Sequence, residues 1–500
     1  MIALAIAKAA RQNPSKVALI FGDKRWTYDV LLREVRDCAV TLQKRGVTAG
    51  ERVAIVAANS PQWLMWYAAI NAIGGVAVPI NPAYTSHEVL MILEAADLRL
   101  IVIDEDMAKQ CSLCEKMRAV CIDANLNVSG AAGDQWEWPR VDPSAPVVIY
   151  FSSGSTGRPK GIVHSGQNLT RIAECVRVTW DLTEEDVTLV AMPLAFIYAS
   201  TVAWLSTVYV GGTVVLQSRY DAKEVSSAIY NGTLTNIMGV PIMFRKVLEE
   251  RPEDASRSRL RFCLCSGDGL SKAMDEAFYQ RFNCPIFEFF GLSEMPHVVS
   301  HSLKRDRRSK EFSCGRAVCG VRVEVRGENR RALPVGEVGE LACLSPFAFK
   351  EYFRDPESTN AAVIDGWFYT GDLVRQDEDG YIFFVERKKE LIKSSGFNIL
   401  PGEVEQTIAA VDGVKEVAVI GVPNPDKGQH VAAYIVRTGT STESDVKARI
   451  LVECKTKLAK YKIPQDIKFL PELPRGPTGK LRKKDLHELA ARQHGHKGAA

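Results

Sequence analysis

Between Arg52 and Ile103 the chain alternates short apolar runs with amphipathic stretches, and this rhythm restricts the fold more than any other feature. Arg52-Val-Ala-Ile-Val-Ala57, Gly75-Val-Ala-Val-Pro-Ile80 and Leu98–Ile103 read as strands, while Pro61–Ala72 and Ser86–Glu94 read as helices. Strands separated by single helices form parallel pairs, so a doubly wound α/β sheet is expected. Trp26-Thr-Tyr-Asp29 can cap a further helix running to about Lys44. Between 187 and 320 the rhythm continues, with strand-like runs at Thr188–Met192, Thr213–Leu216, Asn236–Gly239, Arg261–Cys265 and Ile286–Phe290. From about 320 to 385, short strands with glycine turns suggest a β-rich subdomain. Residues 390–480 read as a small α/β unit, with helices at Leu400–Val411 and Ser444–Leu458 and strands at Val414–Val422 and His430–Val436. The last residues, Gln493–Ala500, read as frayed.

Within this framework Phe151-Ser-Ser-Gly-Ser-Thr-Gly-Arg-Pro-Lys-Gly161 stands apart. It packs three glycines, four hydroxyl residues and two cations into eleven positions after the apolar run Pro146–Phe151. Glycine lets the backbone approach an anion closely. Exposed N–H groups and hydroxyls can cradle phosphate oxygens, and Arg158 and Lys160 add charge. A Walker A loop is excluded, because G-x-x-x-x-G-K-[ST] is absent.

Bulk properties are those of an ordinary soluble globular protein, with 46% apolar and 25% charged residues. The 500 residues carry 63 basic and 60 acidic side chains, a net charge of +3 that marks neither a nucleic-acid nor a membrane surface. Leu64–Ile80 is the longest largely apolar stretch. Interrupted by Asn71 and Gly74-Gly75, it reads as a core helix running into a strand rather than a membrane span. Met1–Ala10 lacks a basic leader region, so no signal peptide is expected. Twelve scattered cysteines, with a lone Cys111-Ser-Leu-Cys114, give no zinc pattern; free buried thiols in a reducing cytoplasm are expected.

Further along, Phe287-Glu-Phe-Phe-Gly-Leu-Ser-Glu294 ends a strand in a glycine turn and presents a hydroxyl and a carboxylate. Ser266-Gly-Asp-Gly-Leu270 follows another strand end, where open α/β sheets bind ligands. Tyr369-Thr-Gly-Asp372 offers a carboxylate suited to a vicinal diol. Glu386-Arg-Lys-Lys-Glu-Leu-Ile-Lys393, Ser394–Glu405 and Pro474-Arg-Gly-Pro-Thr-Gly-Lys480 complete an ordered series.

Together these seven motifs resemble those of the AMP-forming acyl-CoA synthetase (adenylate-forming) superfamily: S-S-G-S-T-G-x-P-K-G, an adenine-side turn, Y-G-x-T-E, T-G-D, G-R-x-K-D-x-I-K, G-x-x-I-x-P-x-E-I-E and P-R-x-x-T-G-K. The resemblance implies a large N-terminal domain of doubly wound sheets plus a β-rich subdomain (1–388), then a small mobile α/β domain (389–500) hinged near Lys389. ATP, Mg²⁺ and CoA are the implied cofactors and a small carboxylic acid the substrate. Ser152, Ser153, Gly154, Ser155, Thr156, Gly157 and Lys160 would hold phosphates. Asp268, Gly269, Phe289, Phe290, Gly291, Leu292 and Ser293 would lie along the adenine, and Glu294 with Thr156 would take the metal. Asp372 and Arg387 would hold the ribose or phosphate. Lys480 would be catalytic, with Lys160 and Glu294. Ser395, Gly396 and Phe397 would line the path of CoA. Glu386 and Glu390 depart from the family's Gly and Asp, and Phe290 and Ser293 from its Tyr and Thr.

For the acid, Pro193-Leu-Ala-Phe-Ile-Tyr-Ala199 and Leu292-Ser-Glu-Met-Pro-His297 are similar to the benzoate-CoA ligase branch, with Pro296 in place of its Leu. That likeness implies an aryl or cyclic acid held by Phe196, Ile197, Tyr198, Gly291, His297 and Val298. The alternative is a stand-alone adenylation enzyme that loads a carrier-protein phosphopantetheine. A cytoplasmic enzyme, with a homodimer as one option, completes the expectation.

Overall fold

The computed structural model describes residues 2–98, 100–104, 120–126, 128–131, 136–153, 159–250, 258–267, 269–306, 308–394, 397–424, 427–439, 441–476 and 481–495. The chain forms two compact units. The first comprises Met1–Val323, Cys343–Phe368 and Gly380–Ile382; the second comprises Glu324–Ala342, Tyr369–Asp379 and Phe383–Ala500.

The first unit holds a seven-stranded sheet in the order Glu351–Tyr352, Pro159–Ser165, Pro146–Ser153, Val76–Ile80, Arg52–Val56, Leu100–Ile103, Val120–Asp123. The last five are parallel, as the strand–helix rhythm requires. The Pro61–Ala72 helix starts on a Ser60 cap with Pro61 in its first turn. Apolar nearly all round, it buries Trp63, Trp66 and Tyr67 completely, so it is an interior helix rather than an amphipathic cover. The Ser86–Ala96 helix opens on a Thr85/Glu88 capping box and covers Val56, Val78, Ile101 and Ile149 with Val89 and Leu93.

A second sheet has nine strands, ordered Arg316–Ala317, Met295–Ser300, Ile286–Leu292, Phe262–Cys265, Asn236–Gly239, Val187–Val190, Thr213–Leu216, Val17–Phe21, Lys24–Thr27. Its last two strands are outside the expectation from sequence. Val17–Phe21 runs parallel to Thr213–Leu216, with Leu19 opposite Val214, so a pairing across almost two hundred residues decides its place. The glycine turn expected after Phe290 is instead a bulge. The strand runs through Gly291 to Leu292 and doubles back as Met295–Ser300, with Leu292 opposite Met295. A β-carbon at position 291 would stand 2.3 Å from the Pro296 carbonyl oxygen, so only glycine fits.

In the second unit, Phe397–Ile399, Ile392–Ser394, Gly428–Arg437 and Val414–Asn424 pair in that order, with Asp466–Phe469 beside Gly428–Arg437. Alternation along the central strands fills two cores. Val419, Val431, Ala433 and Ile435 meet Val404 and Ile408 of the Pro401–Ala409 helix and Val446 and Ile450 of the Glu443–Lys457 helix. Ala418, Ile420, Ala432 and Tyr434 meet Leu486 and Ala490 on the Lys483–Gly495 helix. That helix continues to Gly495, past Gln493 where the frayed end was expected to begin; residues 496–500 lie outside the described residues. The cysteine expectation also needs correction: Cys319 is exposed and Cys121 is disulfide-bonded, while Cys38, Cys175, Cys263, Cys265, Cys284, Cys343 and Cys454 are buried free thiols.

Replacing Gly291 by Ala should cost about 2–4 kcal/mol, because the clash is with backbone rather than a flexible side chain. A lowered denaturant midpoint would register this; an unchanged midpoint would show that the bulge yields.

Candidate active site

The phosphate-loop segment leaves one strand and enters its antiparallel neighbour. Ser152 lies opposite Lys160 and Ser153 opposite Pro159, so the hairpin brings both ends of the Gly/Ser/Thr stretch together. Gly154, Ser155, Thr156 and Gly157 lie outside the described residues. Just past the loop, Gly161 clears a path for the Glu351–Tyr352 strand. A β-carbon there would come within 3.0 Å of Phe353 and the Phe151 ring. Phe353 N–H donates to the Gly161 carbonyl at 2.7 Å and Lys350 N–H to that of Val163 at 2.8 Å, setting Tyr352 opposite Ile162.

Tyr352 therefore stands beside Lys160, whose ammonium lies 3.5 Å from the centre of the phenol ring. The Tyr352 hydroxyl donates to Glu294 Oε1 at 2.8 Å. Glu294 occupies the hairpin turn after Ser293, and Phe349 N–H holds its carbonyl at 2.8 Å. His164, on the face of its strand that carries Lys160, donates Nε2–H to the Ser293 carbonyl at 2.8 Å. Burial lowers the His164 pKa to about 4, so the ring works as a neutral donor. Sequence reasoning missed both Tyr352 and His164. The two-residue period from Lys160 to His164 was a usable signal, whereas Tyr352 becomes relevant only through strand pairing.

Phe289 and Phe290 point to opposite faces of their strand. Phe289 is buried between Tyr198, at 5.1 Å, and His297, at 5.5 Å, both edge-on. Thus it joins the expected acid-pocket residues, while Phe290, Gly291, Leu292 and Ser293 remain partly exposed. Tyr198 donates to the carbonyls of Gly239 and Leu264 at the ends of two neighbouring strands. It opens a π-helix, Tyr198–Leu205, preceded by part-buried Phe196 and buried Ile197. Burial pushes the His297 pKa down to about 3; Nδ1 faces the Cys175 sulfur at 3.7 Å and Nε2 has no partner. Val298 alternates onto the other face of its strand, away from His297. Asp268 lies outside the described residues. Gly269 is exposed, and the next residue, Leu270, donates its N–H to Glu288 Oε1 at 2.9 Å.

In the second unit, Gly371 sits at φ +74° inside the Trp367–Gln376 strand, its N–H on Glu340 at 3.0 Å. The kink presents Asp372 to Arg387, with Arg387 Nε 3.6 Å from Asp372 Oδ1. Lys389 lies in a single turn, Lys388–Glu390, anchored by Lys388 on Glu340 at 2.8 Å. Glu386, unusual against the family pattern, accepts from Gly402 N–H at 3.1 Å. Lys483 lies 3.1 Å from Glu405 and 3.5 Å from Glu390. Phe397 is exposed and stacks on Tyr461 at 4.4 Å. Ser395, Gly396 and Lys480 lie outside the described residues.

A family model for AMP-binding enzymes matches residues 6–353, and one for the AMP-binding enzyme C-terminal domain matches residues 403–480. The chain belongs to the AMP-forming acyl-CoA synthetases. It is 32% identical over 487 residues to a feruloyl-CoA synthase of an Amycolatopsis species, covering 96% of this chain and 97% of the relative. It is 31% identical to the long-chain-fatty-acid–CoA ligase FadD13 of Mycobacterium tuberculosis (strain CDC 1551 / Oshkosh), covering 93% of each. ATP-bound MatB from Rhodopseudomonas palustris superposes with a TM-score of 0.88 at 29% identity, over 98% of this chain and 99% of that one. As an AMP-forming acid–thiol ligase, this acyl-CoA synthetase uses ATP and CoA to activate a carboxylic acid through its adenylate. No helix among the described residues is long and apolar enough to cross a membrane.

Acid–base behaviour of the site runs in two opposed directions. His164 and His297 refuse protons that an unfolded histidine takes up near pH 6.5, so they withdraw stability as pH falls below that value. Glu288 is pushed up to about 7 by burial and keeps its proton where an unfolded glutamate has lost it. Its contribution therefore declines as pH rises from about 4.5 to 7. Glu288→Gln should gain about 2 kcal/mol on the parent between pH 5 and pH 8. Urea midpoints at the two pH values would measure it; a constant difference would mean that Glu288 is ionised throughout.

Proposed function

We propose that the acid is aromatic or cyclic, and that the site residues divide the work of activating it. Tyr198, Phe289 and His297 pack edge to face in one cluster, with a buried neutral imidazole whose Nε2 is unpaired. This arrangement carries the reading: flat apolar surfaces with one hydrogen-bonding edge suit an aryl acid bearing a polar substituent. The likeness to a feruloyl-CoA synthase supports it; the likeness to a fatty-acid ligase marks the competing class.

In the first step the carboxylate attacks the α-phosphorus of ATP, a P–O bond forms, and pyrophosphate leaves with the electron pair of the broken bond. The protein contributes position and charge. Lys160 and the backbone at Ser152 and Ser153 face the phosphates, with Gly154, Ser155, Thr156 and Gly157. Asp372 accepts ribose hydroxyls, and Arg387 stands beside it. Adenine lies along Gly269 and Phe290–Ser293, with Asp268. Lys480, on its glycine loop, offsets charge developing between carboxylate and α-phosphate. A single carboxylate, Glu294, with the Thr156 hydroxyl, water and the nucleotide's own oxygens is a donor set that Mg²⁺ accepts. When bound, Mg²⁺ would neutralise phosphate charge. In the second step the small domain, 389–500, turns about Lys389, and the CoA thiolate passes Ser395, Gly396 and Phe397 to displace AMP.

Pyrophosphate release across benzoates, cinnamates, cyclohexane carboxylates and straight-chain acids, with and without CoA, tests the substrate. Multiple turnover on an aryl acid, only with CoA present, is expected, with His297→Ala shifting the preference among acids. Best turnover on straight-chain acids would sink the aryl reading, and a single burst that CoA does not extend would favour a carrier-protein acceptor. Asp372→Ala should raise the KM for ATP about tenfold, the value of a charge-assisted hydrogen bond. An unchanged KM would remove Asp372 from the ribose.

A further inference from the structure

Among the described residues, Tyr352 makes an unusual pair of contacts. Its ring faces a cation and its hydroxyl donates to a carboxylate, and both belong to the residues proposed to handle the nucleotide phosphates. We infer that Tyr352 is a positioning residue for the phosphate-handling groups, holding Lys160 against its ring face and Glu294 at its hydroxyl. The inference rests on the nucleotide roles proposed for those two side chains.

The geometry makes the role specific. Lysine is a long, rotamer-rich side chain, and a bare ammonium close to a glutamate pairs with it directly. Here the ammonium sits 3.5 Å from the ring centre instead, where the π-face attracts it without donating or accepting a proton. At the other end of the ring the phenol O–H fixes one oxygen of Glu294 at 2.8 Å. Burial and the neighbouring carboxylate both raise the Tyr352 pKa, so it stays a neutral donor. The phenol is only 5% exposed, and its backbone is clamped on both sides. Its N–H donates to Thr359 Oγ1 at 2.9 Å, and neighbouring Phe353 is bonded to Gly161 at 2.7 Å. Asp355, three residues on, has its pKa lowered chiefly by the Ser358 N–H and hydroxyl and to a lesser degree by Lys160. The ring therefore has little freedom to leave its place.

Two substitutions separate the two contacts. Tyr352→Phe keeps the ring under Lys160 and removes the hydrogen bond to Glu294; Tyr352→Leu removes both. Equilibrium titration calorimetry on the full chain, with no acid present, compares ATP at several Mg²⁺ concentrations with AMP, which lacks the β- and γ-phosphates. Tyr352→Phe should weaken ATP binding about tenfold and raise the Mg²⁺ concentration needed for it. Tyr352→Leu should weaken ATP by about a further fivefold, while AMP affinity and the thermal midpoint of Tyr352→Phe stay at the parent's values. Parental ATP affinity and Mg²⁺ dependence in both variants would overturn the role. So would equal losses for ATP and AMP, the mark of a merely structural tyrosine. A parent protein that binds neither nucleotide would overturn the nucleotide reading itself, and the role of Tyr352 with it.

Discussion

Lys160 stands on a strand of one sheet and Glu294 in a hairpin turn of the other, and the approach of a further strand, Glu351–Tyr352, connects them. That approach depends on the missing side chain at Gly161, where Phe353, Phe151 and Ile149 leave no room for even one methyl group. Backbone hydrogen bonds from Lys350 and Phe353 then fix the register. Everything distinctive about this cluster follows from that closeness: the ring over the ammonium, the hydroxyl on the carboxylate, and the Glu294 carbonyl held by Phe349. The turn that carries Ser293 and Glu294 is gripped on two sides, by His164 and by the 349–352 segment.

Burial sets the chemistry of the surrounding groups more than charge pairing does. Both His164 and His297 are held neutral because a cation so deep would have no solvent. For His164 the proton on Nε2 is fixed by the Ser293 carbonyl, which makes it a reliable donor. For His297 no such partner exists at Nε2, so its tautomer is open to whatever lies against it. Glu288, whose Oε1 accepts from the Leu270 N–H, is the acidic counterpart: burial favours the protonated form, and that hydrogen bond opposes the shift.

Much of this was legible in the sequence. The strand–helix rhythm from Arg52 to Ile103 implied parallel pairing, because alternation of that kind has few other solutions. The ordered motifs located the family, since each is a local device that needs only its neighbours. Pairings across long stretches of chain were not legible. Val17–Phe21 finds Thr213–Leu216, and Tyr352 finds Glu294, through sheet register that no local pattern encodes. Facing was partly legible: the two-residue period separates Phe289 from Phe290 and His297 from Val298, so an unbroken run of pocket residues along one strand contributes only alternate side chains.

The π-helix that begins at Tyr198 carries a consequence for how such a site diversifies. Its wider winding accommodates one residue more per turn than an α-helix does. Deleting a single residue between Tyr198 and Leu205 would restore α-helical winding and turn the preceding segment by about 100° relative to the remainder of the helix. Tyr198 would then leave its place beside Phe289. The surroundings of Phe289 can thus be rewritten by chain length alone, with every side-chain identity kept.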